Sequence, residues 1–409
     1  MAAPDVPDLD ADAIVVGGGP AGSVTARLLA ERGHHVLLLD KARFPRHKAC
    51  SEYVNPAGAR LLAEMGLESD LQALGAHYME AMLIHAPGGH HFLADFGVTE
   101  PGSAAIGLSR YRLDSLLLDH ARVAGVEVRE GAHVRSVLVA NGCVQGVECS
   151  KNGVPTTLRA PLTIGADGRH GVVSRALGLD IPLQWPRRTG LVAHYRGVTG
   201  LGAWGEIHVA PRKRGYVGLA PLEGGLTNVA LVSASESVAN RSGSLEAFFE
   251  ESLAGIPAIA SRLTGAERVG GIRGVGSMAH RARRVSGDGF ALVGDAASFL
   301  DPFTGEGVYE ALRGATLLAP VAAAALQAGD LSARRLGPYG AARRRAFWAK
   351  RQVCWLVQGF ITTPALMDYA TARLDRRPTV ARTLAGVLGD LYPAHRGLSP
   401  IFLARLLWP

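Results

Sequence analysis

Two kinds of apolar pattern alternate along the chain. Short unbroken apolar runs, DAIVVG at 12–17, HVLLLD at 35–40, LTIGADG at 162–168 and FALVGD at 290–295, read as buried strands of a parallel sheet. Between the first two lies PAGSVTARLLAER at 20–32, whose apolar residues recur at helical spacing, so the chain opens as a βαβ unit. Residues 112–124 predict another helix, and VEVREG a strand after it. HVRSVLVANGCVQGVECS at 133–150 alternates around Asn141–Gly142, which predicts a β-hairpin. From about 186 to 235 the pattern is one of short strands and turns (GLVAHYRGV, AWGEIHVA, GYVGLAP, LTNVALVSA), which predicts an antiparallel sheet. The rest past FALVGD is mainly helical. The expected architecture is α/β. A Rossmann-type nucleotide-binding domain occupies 1–75, 105–180 and 270–345. A β-sheet substrate domain over 76–104 and 181–269 interrupts it, and a helical tail covers 346–409.

Composition narrows the class. With 48% apolar residues among 409, a large core is available and global disorder is excluded. The cysteines, Cys50, Cys143, Cys149 and Cys354, form no CxxC pair and no zinc-spaced cluster, which points to reduced thiols in a cytoplasmic protein. AIVVGGGPAG is too short and glycine-rich for a signal peptide. ATLLAPVAAAALQAG is broken by Pro320 and falls short of a spanning helix. The net charge of +7 is uneven: Arg334–Pro409 holds 13 Lys/Arg against 3 Asp/Glu (+10), and the remainder 30 against 33 (−3). This basic tail, with apolar clusters such as SPIFLARLLWP, suits peripheral contact with an anionic membrane or an acidic carrier protein. No basic run with interleaved aromatics lies outside the tail, so nucleic-acid binding is not indicated.

Two glycine loops carry the candidate chemistry. In GGGPAG, Gly17 allows the tight turn, Gly19 lets the backbone approach a pyrophosphate, and Gly22 lets helix and strand pack closely. Pro20 and Ala21 open a helix whose N-terminus favours an anion. Asp40, ending the next strand, is placed for ribose hydroxyls, and Lys41 and Arg46 follow it as candidate contacts. The second loop, GDAASFLDPFTGEG, runs from Gly294 and Asp295 through Pro302 to Gly305 and Gly307, ahead of another helix. A carboxylate at 295 suits a polyol chain, and a helix start suits charge on a ring. One dinucleotide needs one pyrophosphate loop; one FAD stretched across both loops accounts for the pair.

The order GxGxxG, Asp, GADG, GD and PxxGxG resembles the FAD-dependent oxidoreductases of the p-hydroxybenzoate hydroxylase fold, which include aromatic monooxygenases, flavin halogenases and geranylgeranyl reductases. RFPRHKACSEYVNP at 43–56 is most similar to the last group. The resemblance spans roughly residues 12 to 340. It implies that Arg110 helps to hold FAD, that Asp167 and Gly168 of GADG lie near the pyrophosphate and the NAD(P)H donor, and that Cys50 lies near the flavin ring. The family pattern DGxxSxxR is broken here by Gly171 and Ser174, with Arg169 or Arg175 as substitutes. Cys50 and Glu52 are the candidate catalytic side chains, a thiol and a carboxylate able to tune a flavin or to supply a proton. No histidine pair has HExxH spacing, and none is read as a metal ligand.

The resemblance leaves the reaction open. Hydroxylation of a hydrophobic aromatic or polyketide-like substrate through a flavin hydroperoxide stands first. The alternatives are reduction of carbon–carbon double bonds in an isoprenoid or polyene and, in another class, a flavin-binding partner without turnover. Halogenation is set aside, because the chain has no lysine between Lys48 and Lys151 and GYVGLAP has no tryptophan. The expected location is cytoplasmic, peripheral to the membrane.

Overall fold

A computed structural model describes residues 9–210 and 215–408. Its central sheet has five parallel strands in the order Phe290–Leu292, Leu162–Gly165, Ala13–Val16, Val36–Asp40 and Glu127–Glu130, with Ser286–Gly287 antiparallel at one edge. The unbroken apolar runs follow from burial on both faces. Ala13 and Val15 pack among helices, against Leu118 and Leu318. Ile14 and Val16 pack against a three-stranded antiparallel sheet, with Val134 and Val147. That sheet contains the expected hairpin: Ala140 pairs with Cys143, and Asn141 (φ 52°) and Gly142 (φ 78°) make the turn.

The first helix, Pro20–Ala30, touches the strand before it at Gly22, where a Cβ would stand 1.8 Å from the Gly17 carbonyl oxygen. The predicted helix at 112–124 spans Arg110–Val123. Pro320 does not interrupt the helix Gly307–Gln327. Among the described residues no helix is long and apolar enough to cross a membrane.

The second large sheet has seven strands in the order Glu267–Val275, Arg188–Arg196, Leu226–Ala234, Tyr216–Pro221, Gly205–Val209, Ala81–His85 and His91–Asp95. It departs from the purely antiparallel expectation at one pair, because Gly205–Val209 runs parallel to Ala81–His85. These strands come from separate insertions, so no hairpin constrains their relative direction. Two boundaries also move. Glu267–Val275 belongs to this sheet, so the substrate domain runs past 269. The boundary at 346 falls inside the helix Ala333–Thr362.

Three further helices, Pro364–Arg376, Pro378–Leu388 and Pro400–Leu407, each begin with proline, whose missing N–H costs nothing at a first helical position. They are part of the core: Leu374, Val380, Leu388 and Phe402, with Phe360 of the preceding helix, share one cluster with Ile84, Phe96 and Val232 of the sheet region.

Candidate active site

A cavity of about 570 Å³ lies between the two glycine loops and the seven-stranded sheet. Gly17, Gly19, Pro20 and Ala21 line it from the first loop, Asp40 and Lys41 from the second strand's end, and Arg46 and Cys50 from the segment beyond. Arg110, Asp167 and Gly168 close one side, and Asp295, Pro302, Gly305 and Gly307 bring in the second loop. Three of the expected site residues stand behind this lining. Gly22 faces the Gly17 carbonyl, and Gly294 (φ 62°) backs onto Ala21, where a Cβ would stand 2.8 Å from the Ala21 Cβ. Both bring elements together rather than touch a ligand. Glu52 is the third, and its place is described below.

One end of the cavity is built for an anion. A Cβ on Gly19 would stand 3.6 Å from Arg110 Nη2 and 3.8 Å from Arg46 Nη2, so two guanidiniums converge over the start of the first helix. Asp114, fully buried, holds both. It accepts from Arg110 Nε at 2.6 Å and Nη2 at 2.8 Å, and from Arg46 Nη1 at 2.8 Å. Burial opposes the Arg110 charge, but Asp114 and Cys50 outweigh it and hold its pKa above the ordinary arginine value. Two arginines on one carboxylate leave a net positive charge at a helix N-terminus. Asp40 accepts from Gly18 N and Ala42 N, each at 2.7 Å, and its oxygens keep lone pairs for the cavity.

Lys48 is solvent-accessible and lines this cavity. Desolvation by neighbouring protein atoms, then the Arg110 charge, lowers its pKa. Asp167 turns toward its own helix, accepting from Val172 N at 2.5 Å and Val173 N at 3.2 Å, while its Oδ1 has no partner. Its carboxylate fills the space a side chain on Gly171 would take, 2.3 Å from that Cβ position. This accounts for glycine where the family pattern has serine. Arg169 lines the cavity and donates to the carbonyls of Gly276 and Ser277; Arg175 donates to Gly171 O at 3.2 Å.

Glu52 is a brace behind the cavity wall. It is 2% exposed and has φ 56°, a left-handed conformation that costs a non-glycine residue about 1 kcal/mol or more. Its Oε1 accepts from Arg110 N at 2.8 Å. Its Oε2 meets His194 Nε2 at 2.5 Å and accepts from Asn228 Nδ2 at 2.9 Å. Asn228 also donates to Cys50 O at 3.0 Å, and Glu52 N donates to Cys50 Sγ at 3.4 Å. The Cys50 thiol is therefore fixed where the glycine-loop half meets the sheet, beside the Arg110 guanidinium. His194 and Asn228 carry no local sequence signal for this role.

The tail reaches the second loop from behind. Cys354 Sγ donates to Glu306 Oε1 at 3.0 Å, and Lys350 Nζ lies 3.8 Å from Glu306 Oε2. Lys350 also donates to Asp390 Oδ2 at 2.8 Å and to the carbonyls of Val387 and Leu388; Leu388 itself lines the cavity. Burial pushes the Glu306 carboxyl up to about 8, with Lys350 opposing only in part. Between the ordinary value of 4.5 and about 8 the folded state holds a proton that the unfolded chain has lost, so stability falls as pH rises through that interval. Glu306→Gln is expected to flatten this fall, and urea denaturation on either side of the interval checks it.

Among the described residues His85, Glu206 and His208 bring ligand atoms within 4.8 Å of one another. Arg262 Nη2 already pairs with Glu206 Oε1 at 2.9 Å. The two imidazoles stack at 4.1 Å and 9°, which keeps their in-plane lone pairs from converging. The arrangement is an acid–imidazole–guanidinium cluster rather than a metal cradle.

A family model described as an FAD binding domain matches residues 10–353. The chain belongs to that family. It is an FAD-dependent oxidoreductase. Digeranylgeranylglycerophospholipid reductase 2 of Methanopyrus kandleri is 33% identical over 344 residues, covering 81% of each chain. Flavin-dependent halogenase armH5 of Armillaria mellea is 27% identical over 74% of this chain and 62% of its own. A geranylgeranyl bacteriochlorophyll reductase-like structure from Thermoplasma acidophilum shares the fold, with a TM-score of 0.80 at 22% identity over 92% of this chain and 96% of that one. The cavity of this flavoprotein fits FAD: Arg46, Arg110 and the first helix start would hold the diphosphate, Asp40 the ribose, and Asp295 with the Gly305–Gly307 turn the flavin half.

Proposed function

We propose that this flavoprotein reduces carbon–carbon double bonds in a long apolar, isoprenoid-like lipid. The observation that carries the reading is the chemistry of the cavity wall formed by the sheet. Met82, Ile84, Phe96, Val192, Ile207 and Val232 line it. Its ionisable side chains are already engaged. Tyr216 donates to Asp301 Oδ1 at 2.7 Å, and Glu206, which also lines the cavity, is paired with His208 and Arg262. Hydroxylation, first on sequence grounds, needs an electron-rich ring, commonly a phenol held by a polar partner; among the described residues of this mainly apolar wall the polar atom without a partner is Asn228 Oδ1, beside Cys50 at one end rather than across the wall. Hydroxylation therefore becomes the second reading. An isoprenoid chain of the kind the Methanopyrus relative's name describes suits such a wall.

When bound and reduced, FAD supplies a hydride to one carbon of the double bond. The other carbon needs a proton. Cys50 brings a thiol group to the cavity, held at the junction of the two halves, and the proposal makes it the donor of that proton. The sheet wall excludes water and orients the chain, and Asp295 and the clamped arginines keep the cofactor in place. NAD(P)H is the proposed transient electron donor. Cys50→Ala is expected to lower turnover about tenfold with FAD content unchanged, as loss of a positioned acid does; rates normalised to bound flavin check it.

Product mass tests the reaction itself. Incubating reduced holoprotein anaerobically with a geranylgeranyl lipid is expected to yield a product heavier by two hydrogens per double bond. A product that gains one oxygen, and only in air, would establish hydroxylation instead.

A further inference from the structure

We infer that the last helices of the chain form a docking surface for an anionic phospholipid membrane. The helix Pro400–Leu407 turns one face inward, with Phe402 and Leu406 in the cluster that also contains Ile84 and Phe96. Its other face is unusual for a water-facing helix. Ile401 is 68% exposed, Leu407 40% and Trp408 76%. Ordinary amphipathicity would place polar residues there.

The cations around this apolar patch decide its partner. Arg405 is exposed on the same helix. Arg373 donates to the Trp408 carbonyl, and Arg377 to the Arg405 carbonyl, so both guanidiniums stand at the end of the patch. Tyr369, 40% exposed, donates to Leu407 O at 2.7 Å. Asp375 is the exposed acid nearest in sequence. Exposed Trp, Tyr, Leu and Ile rimmed by arginine is the composition of an interfacial anchor: the rings and aliphatic groups enter the headgroup boundary while the guanidiniums meet phosphates. The charge is complementary on the larger scale too, since the chain from Arg334 onward carries 13 Lys/Arg against 3 Asp/Glu. The same tail places Leu388 in the cavity wall, so the surface that would rest on a bilayer is built on helices that close the substrate site.

This surface stands whether or not the substrate is an isoprenoid, and its test does not use turnover. FAD-loaded protein is centrifuged with phosphatidylglycerol–phosphatidylcholine vesicles and, separately, with pure phosphatidylcholine vesicles. The protein is expected to sediment with the anionic vesicles, to be released by high salt, and to show a blue shift in tryptophan emission. Arg405→Gln is expected to weaken binding about fivefold, and Ile401→Ser with Trp408→Ser to abolish it. Visible flavin absorbance shows that the variants remain folded. Absence of sedimentation with anionic vesicles, or equal sedimentation of the double variant, overturns the inference. So does self-association through this patch, seen as a concentration-dependent dimer that the double variant loses, in protein that ignores vesicles.

Discussion

Asp295→Ala strips FAD from the protein. The carboxylate stands on the cavity at the end of a buried strand, and both Lys48 and Arg169 feel its charge. Hydrogen bonds from hydroxyls to a carboxylate contribute about 1.5–3 kcal/mol each, so losing one or two weakens FAD binding by about tenfold to about ten-thousandfold. Removing the carboxylate also leaves Lys48 and Arg169 with less opposing charge in a crowded cavity. The purified variant is expected to be nearly colourless, and titration with FAD gives its dissociation constant. Asp295→Asn keeps an acceptor oxygen and is expected to fall between the variant and wild type. An alanine variant as yellow as wild type would place the flavin half elsewhere.

Glu52→Ala is the second large effect, and it acts through the brace. The substitution leaves His194 Nε2, Asn228 Nδ2 and the Arg110 amide without their shared acceptor, all in buried surroundings. Breaking a buried charge-assisted network of this kind costs about 3–5 kcal/mol. Cys50 and Arg110 lose their positions with it, so flavin retention and turnover fall together. Glu52→Gly serves as the control for backbone strain, since glycine accepts φ 56° freely. If the side-chain network is what matters, the glycine variant is destabilised nearly as much as the alanine variant. If relief of the left-handed backbone dominated, it would be the more stable of the two by a clear margin. Urea denaturation followed by flavin release separates these outcomes.

The features legible in the sequence are those encoded locally. Each glycine loop sits between an apolar run and a helical pattern, so Gly17, Gly19, Asp40 and Asp295 could be placed without knowing what lay opposite them. The Asn141–Gly142 hairpin is equally local. Period-two alternation identifies strands but not their direction, so the parallel pairing of Gly205–Val209 with Ala81–His85 was invisible. The brace was invisible for a related reason: Glu52 lies 142 residues from His194 and 176 from Asn228, and only packing brings them together. Asp114 is different. Arg110 and Asp114 stand four residues apart in RYRLD, a helical ion-pair spacing that offered a signal. In the tail, FWAKRQVCWLVQGF mixes apolar and basic residues without a clean helical stripe; Phe347, Val353, Cys354 and Phe360 are buried, and Trp348 is 63% exposed. Its helices cover the end of the sheet, which a single helix's pattern does not reveal.

The central claim is that FAD held across both loops reduces a double bond in an apolar chain without oxygen. The most direct measurement is visible absorbance after holoprotein, bleached anaerobically with dithionite, is mixed with a geranylgeranyl lipid. The account predicts that the oxidised flavin colour returns in the absence of oxygen, at a rate that rises with lipid concentration and falls in Cys50→Ala. Protein that stays bleached with the lipid and recovers its colour only when air is admitted would contradict it.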